Sequence, residues 1–322
     1  MEIIIGSNEA GQRLDKFLRK LLKDVPLSAI FKALRKGDVR VNGKKQKEKY
    51  ILQEGDLVII KYITSKKEDK FNKFINVDSS GIKIAHEDEN LLVIEKWPGI
   101  LVHPDSNNNE PTLTDYALSY LNAKGDYKPE SELTFTPAPC NRLDRNTSGL
   151  VIFGKNFEAL RNLNELIRNG DVDKYYNTIV QGRVKDGLYN GYILKNEENN
   201  ISRVYDKKVP NSKEISMEIK TIQSNGAFSF IEIKLLTGRS HQIRAHMAHL
   251  GNPLIGDVKY GKKEINSYFR NKYGLEYQFL YAYKLIIRNA TGKLAYLNNK
   301  TIVEALPPIF KKIKQDVFKV NL

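Results

Sequence analysis

A single cysteine, Cys140, stands among 322 residues, which rules out an internal disulfide and suits a reducing interior. No run approaches the roughly eighteen apolar residues of a membrane-spanning helix. The first residues lack the basic region, long apolar core and small-residue cleavage site of a secretory leader. A cytoplasmic protein without membrane association is therefore expected. Also missing are the glycine-rich strings GxGxxG and GxxxxGK[ST], which counts against nucleotide-cofactor enzymes, and the HExxH of zinc hydrolases. What remains is ordinary in composition, 41% hydrophobic and 28% charged, and long enough for about two domains with a sizeable core.

Negative charge is in short supply. Lys and Arg number 52 against 38 Asp and Glu, a net of +14. Residues 1–77 hold 18 of those cations and 10 of the acids, so +8 of the excess falls in less than a quarter of the chain. That asymmetry points to a polyanionic partner. RNA or DNA is favoured over an anionic membrane, because no Lys/Arg-faced helix bearing Trp or Phe on its other side stands out.

Within this basic segment, Leu14, Phe17, Leu18, Leu21 and Leu22 recur at helical spacing with Arg13, Lys16, Arg19, Lys20 and Lys23 between them. Val25-Pro26 interrupts that helix. A second is expected over Leu27–Lys36, capped by Gly37. Val39-Arg40-Val41 reads as a strand entering an Asn42-Gly43 hairpin turn, and Leu57–Ile60 as a further strand. Residues 64–77, polar and without period, read as a linker. The Asn-rich stretches 107–109 and 196–200 read as surface loops.

The second domain opens with Ile82 to Lys96, where Leu91-Leu92-Val93-Ile94 reads as a buried strand, and Trp97-Pro98-Gly99 turns the chain. Strands are expected at Tyr176–Val180, Ile215–Ile219 and Phe228–Leu235, and helices at Thr112–Leu121 and Phe157–Ile167. The order is mixed, without a regular βαβ repeat, so the expected class is α+β with a largely antiparallel sheet.

The string NRLDRNTSGL, Asn141–Leu150, carries the most information. Arg142 and Asp144 flank one leucine and run into Thr147, Ser148 and Gly149, a turn-forming cluster, with the β-prone Val151-Ile152-Phe153 behind. If extended, the chain puts Arg142 and Asp144 on one face. Taken alone, this is a salt bridge plus a turn. Three other strings accompany it: IAHEDENLLVIEKWPGILVHP (84–104), KYYNTIVQG (174–182) and LLTGRSHQIRAHMAHLGNPLIGDVKYG (235–261). Alone, the first is strand, turn, strand, and a tyrosine in the second is core packing. In the third, His241, His246 and His249 contain helical spacing that a metal could use, but no cysteine lies nearby and no metal site is expected.

Together these strings resemble the RluA-type pseudouridine synthases. The family's central motif is HRLDxxTSGL, with Asn141 standing here where His is usual; the match continues through Gly154, Lys155 and Asn156. Its opening reads EDExLLVxxKPxGxxVHP, with Trp97 a bulky departure, and its third motif reads TGRxHQIRxHM followed by G.PL.GD..YG. A later LHA segment is matched at Leu280-Tyr281-Ala282, with Tyr281 for His. The first segment, through RLDKFL, the Leu27–Lys36 helix and VRVNGKK, resembles the S-four RNA-binding domain. The resemblance implies residues 1–63 as an S-four-like domain, 64–77 as linker and 78–322 as a synthase domain with a mixed, mainly antiparallel sheet.

The implied reaction isomerises uridine to pseudouridine within RNA. It is redox-neutral and hydrolyses nothing, so the family needs no cofactor, no metal and no second carboxylate to activate water. The resemblance makes Asp144 the acid that attacks C1′ or takes a proton from C2′. It makes Arg244 the partner that keeps Asp144 ionised, and Tyr176, selected over Tyr175 by the K-x-Y register, the ring covering the flipped base. Arg142 would fill the space of the extruded uridine, and Arg239 and His241 would contact substrate. Arg13, Lys16, Arg35, Lys36 and Arg40 are candidate phosphate contacts in the first domain, which would position the enzyme without reading sequence. Ribosomal RNA of the large subunit is favoured as substrate, transfer RNA is an alternative, and no obligatory protein partner is implied. Two other classes compete: a non-catalytic RNA-binding or ribosome-assembly protein, and a DNA base glycosylase.

Overall fold

The computed structural model describes residues 1–63, 74–105 and 110–319. The leucine and phenylalanine spacing of the first segment winds it into α1 (Leu14–Leu21), which buries Leu14, Phe17, Leu18 and Leu21. Helix α2 (Leu27–Lys36) ends on Gly37 in the left-handed conformation, φ +80°. Both pack on a small sheet of β1 (Glu2–Ile4), β2 (Val39–Val41), β3 (Lys44–Lys45) and β4 (Leu57–Ile60), ordered β1-β4-β2-β3. Asn42 and Gly43, at φ 51° and 74°, make the two-residue turn between β2 and β3. Strand β1, only three residues long, was too short to show a period in the sequence.

The larger unit is one mixed sheet with helices on its faces. Its strands are β5 (Lys83–Glu87), β6 (Leu91–Lys96), β7 (Ala138–Pro139), β8 (Ser148–Gly154), β9 (Val172–Gln181), β10 (Gly187–Asn196), β11 (Ile201–Tyr205), β12 (Lys213–Ser224), β13 (Phe228–Leu235), β14 (Leu280–Ile287) and β15 (Thr301–Val303). The order is β11-β10-β12-β13-β9-β14-β8-β6-β5, with β15 on β14 and β7 on β8. Among the described residues every pairing is antiparallel except β14 with β8. The helices are α3 (Leu113–Lys124), α4 (Phe157–Asn169), α5 (Gln242–His249), α6 (Lys263–Tyr273) and α7 (Pro308–Phe318).

Strands β6 and β8 show why their sequences are unbroken apolar runs. Leu92, Ile94, Val151 and Phe153 face α3, packing with Leu113, Ala117 and Leu121. Their alternates Leu91, Val93, Leu150 and Ile152 face α4, packing with Leu163 and Leu166. A strand covered on both faces has no polar side to alternate with. The C-terminal end of β6 and the N-terminal end of β8, side by side where Lys96 pairs with Gly149, carry the segments that build the site.

The small unit is docked on the large one. Asn8 Nδ2 donates to both Glu132 carboxylate oxygens at 3.0 Å, Gln12 Nε2 to Thr134 Oγ1 at 3.3 Å, and Phe157 N–H to Asn8 Oδ1 at 3.2 Å. Of the expected linker and loops, residues 64–73 and 107–109 lie outside the described residues. Residues 74–77 are tied to α3, through Ile75 N–H to Asp115 and Val77 N–H to Ser119. Residues 197–200 form the exposed turn between β10 and β11.

The turn after Asp144 falls earlier than its composition suggests. Arg145 and Asn146 form it, closed by Thr147 N–H donating to the Asp144 carbonyl at 3.0 Å, while Ser148 and Gly149 already belong to β8. The glycine has another task. At φ +126° it lies where β14 comes alongside β8, and a Cβ there would stand 2.3 Å from the Ala282 carbonyl oxygen. Gly149→Ala should therefore force two backbones apart beside the site and cost about 3 kcal/mol or more. Chemical denaturation checks it; an unchanged midpoint would contradict the packing.

Candidate active site

Asp144 sits on an irregular segment that its neighbours hold from both sides. Asn141, in the place where the family usually has His, acts as a rung of the sheet: its Oδ1 accepts from Ile152 N–H at 2.8 Å and its Nδ2 donates to the Leu150 carbonyl at 3.2 Å. On the other side, the fully buried Lys96 at the end of β6 donates to the carbonyls of Arg145 at 2.8 Å, Ile100 at 3.0 Å and Trp97 at 3.1 Å. Burial pushes the Lys96 ammonium down to about 7, against the opposing pull of Asp144. The lysine thus staples the turn after Asp144 to the Trp97–Ile100 turn.

Arg244 arrives from α5, a hundred residues further along. Its Nη1 donates to Asp144 Oδ2 at 3.0 Å. The rest of the fork is taken by Asp257, with Nε to Oδ2 at 2.7 Å and Nη2 to Oδ1 at 3.0 Å. Asp257 is fully buried, and its Oδ1 also accepts the N–H groups of Lys259 and Tyr260. Burial works against the Arg244 charge, but Asp257 first and Asp144 after it raise its pKa beyond the ordinary arginine value. The Asp144 side chain keeps 20% of its exposure, so the acid opens to the cleft while its counter-ion is sealed in.

Tyr176 lies on β9 in the same cleft, and its ring is buried. Burial and then the Asp144 charge raise its phenol pKa, so the hydroxyl stays protonated. Tyr175 faces the other way, its ring 3.9 Å from the Lys284 ammonium, as strand alternation requires. Arg142 and Arg239 are exposed along the cleft, and His241 sits half-buried beside Asp144. The cleft encloses about 560 Å³, enough for a nucleotide with its flanks.

The structure thus brings Arg142, Asp144, Tyr176, Arg239, His241 and Arg244 around one opening. The three histidines diverge. His246 is buried against Tyr189, and His249 pairs with Asp206 at 2.8 Å. Among the described residues no group of three or more His, Cys, Asp or Glu is placed to hold a metal ion. The candidate phosphate contacts lie apart on the small unit. Lys16, Arg35 and Lys36 are exposed, Arg40 is exposed with its guanidinium over the Gly37 and Gly43 carbonyls, and Arg13 is paired with Asp15 at 2.8 Å.

Sequence reasoning named neither Asp257 nor Lys96. Both lie inside the quoted strings, but an acid in GD and a lysine after an apolar strand look like surface residues until the fold buries them.

A cleft-facing acid held by a sealed guanidinium and an aromatic ring beside it, in a chain led by a small basic module, fit an enzyme that rearranges a nucleotide within RNA. The comparisons give the family. The model for RNA pseudouridylate synthase matches residues 90–249, and that for the S4 domain matches residues 12–58. A ribosomal large subunit pseudouridine synthase C from Vibrio vulnificus is 37% identical over 287 residues, covering 86% of this chain and 85% of its own. An uncharacterized RNA pseudouridine synthase of Mycoplasma genitalium is 31% identical, covering 94% of both chains. The solved structure of human RNA pseudouridylate synthase domain containing 4 shares the fold, with a TM-score of 0.58 at 20% identity over 74% of this chain and 94% of its own. The chain belongs to the RNA pseudouridylate synthase family and is a pseudouridine synthase of the RluA type with an N-terminal S4 domain. Among the described residues no helix is long and apolar enough to cross a membrane.

The ion triad makes a stability prediction. Asp257→Ala leaves Arg244 buried without its principal partner and should cost about 3–5 kcal/mol. Asp144→Asn, at a more open position with Asp257 still in place, should cost less than half as much by the same denaturant titration. Equal losses would contradict the assignment of Asp257 as the main anchor.

Proposed function

We propose that this enzyme converts specific uridines of large-subunit ribosomal RNA to pseudouridine, with Asp144 as the acting acid. The observation that carries the reading is the 3.0 Å contact between Asp144 and the buried Arg244, in the cleft that also holds Tyr176. The N-glycosidic bond breaks, the held uracil turns, and its C5 joins C1′ of the same ribose. A carboxylate held beside the sugar serves either route, attack on C1′ or removal of a C2′ proton. Tyr176 covers the base, Arg142 takes the place it vacates, and Arg239 and His241 contact the nucleotide. Residues 1–63 form the RNA-gripping domain, 64–77 the linker and 78–322 the catalytic domain, with Arg13, Lys16, Arg35, Lys36 and Arg40 toward phosphates. The names of the relatives support the large ribosomal subunit as target. The cell interior, where that RNA is made, is the expected place of action.

Tritium at uridine C5 is released when the new carbon–carbon bond forms, and this is the assay. Asp144→Asn should lower release at least ~10³-fold while RNA still binds, and near-normal release would remove Asp144 from its role. Arg142→Ala should raise KM more than it changes the melting temperature. Mapping pseudouridine in total RNA with and without the protein identifies the site; loss from transfer RNA alone would replace the ribosomal substrate.

Binding should also be electrostatic. With ~6–10 phosphate contacts, affinity falls ~10³–10⁵-fold between ~50 and ~200 mM salt. Replacing Arg35 and Lys36 by Ala should reduce the salt slope by about two units; an unchanged slope would place the RNA elsewhere.

A further inference from the structure

His241 Nε2 lies 3.9 Å from Asp144 Oδ2, too far for a direct hydrogen bond. An oxygen about 2.8 Å from each would bridge them at an angle of about 90°, within the reach of a hydroxyl that accepts on one side and donates on the other.

The far edge of the imidazole decides which side donates. His241 Nδ1 is 2.8 Å from the Tyr260 hydroxyl, and that oxygen accepts the Ser202 N–H at 2.8 Å. The arrangement that uses every group has the Tyr260 O–H donating to Nδ1. The proton of a neutral imidazole then sits on Nε2, toward Asp144. Burial favours the neutral forms of both rings, lowering the His241 pKa and raising that of Tyr260. The assembly is held from several directions. The Tyr260 ring lies 5.2 Å from the Arg244 guanidinium carbon, Ser202 Oγ donates to the Ser240 carbonyl at 3.0 Å, and His241 enters α5 in the left-handed conformation at φ +56°.

We propose that Tyr260 fixes His241 as its Nε2–H tautomer, and that this N–H and the Asp144 carboxylate together hold the 2′-hydroxyl of the target nucleotide. The inference rests on the reading of Asp144 as the acid acting at C1′ or C2′. The hydroxyl on that part of the sugar is the 2′-OH, which DNA lacks. His241 donates to its oxygen and its hydrogen goes to Asp144 Oδ2. The pair senses ribose in the target itself, whereas the basic module attracts any phosphate backbone. His241 is then a substrate-binding residue and Tyr260 a positioning residue behind it.

The test compares two oligoribonucleotides identical except at the modified position, one with uridine and one with 2′-deoxyuridine, by fluorescence anisotropy. The wild-type enzyme should bind the ribose form about 10-fold more tightly, the worth of one well-made hydrogen bond to a charged partner. His241→Leu should bring the ratio close to one. His241→Gln, whose amide N–H can reach the place of Nε2, should keep most of it. Tyr260→Phe should lower the ratio to about 2–3, and adding it to His241→Leu should change nothing further. Because each ratio is taken on one protein preparation, partial unfolding affects both RNAs alike. Nitrogen-15 NMR of the wild type should show His241 protonated on Nε2, and a mixture of tautomers in Tyr260→Phe. An unchanged ratio in His241→Leu, or an Nδ1-protonated His241 in the wild type, would overturn the proposal. A wild type that releases tritium but ignores the 2′-hydroxyl sinks this inference alone, while one that releases none sinks the catalytic reading.

Discussion

The site depends on the ion triad Asp257–Arg244–Asp144. Two carboxylates share one guanidinium, but their surroundings differ: Asp257 is sealed in the protein, while Asp144 opens to the cleft. A buried ion pair is weak evidence for stability, because desolvation offsets much of its attraction. Its value here is positional. Asp257 grips Nε and Nη2, so only Nη1 is left to point at the cleft, and a lysine could not be held in that orientation. The acid is thereby aimed without spending its open face on the protein.

Charge balance follows from the same constraint. Two acids and one arginine leave a net negative charge in a poorly hydrated place, and the Asp144 share of it pulls the Lys96 pKa upward against the burial that lowers it to about 7. Its ammonium meets three carbonyls, so it fixes the backbone while it moderates the field. The aromatic side of the cleft adds no titrating group near neutral pH, since the Tyr176 phenol is held in its protonated form. Asp144 is the acid that stands against Arg244 at the inner wall of the cleft.

Much of this was legible in the chain because local rules and the fold agree. The helix over Leu27–Lys36 with Gly37 beyond it, the Asn42-Gly43 turn and the strands at Leu57–Ile60 and Phe228–Leu235 all stand where periodicity and turn chemistry put them. Asp144 and Arg244 were legible only through motif resemblance, since no spacing rule brings together residues a hundred positions apart. Three things escaped. The composition of Thr147-Ser148-Gly149 reads as a turn, yet the sheet claims Ser148 and Gly149, because Gly149 is needed where β14 presses against β8. Asp257 and Lys96 are charged residues whose burial is a tertiary fact. Tyr260 shares a string with His241, but its hydroxyl also meets the Ser202 N–H, which lies outside every quoted string.

The docking of the two units then bears on how one acid finds one uridine. Phosphate contacts carry no sequence information, so a basic module on a free tether would raise local RNA concentration without choosing a nucleotide. Here Asn8 and Gln12 of the small unit reach Glu132 and Thr134 of the large one, and Asn8 also caps the Phe157 amide at the start of α4. Helix α4 in turn packs on β8, the strand that follows Asp144. The unit that carries α2 is thus tied to the segment bearing Asp144 through a continuous chain of contacts. On the proposed placement of phosphates along α2, selection of a site in a folded RNA comes from shape: a uridine standing at that offset from a suitable helix reaches Asp144, and base identity need be read only at the nucleotide that is turned out.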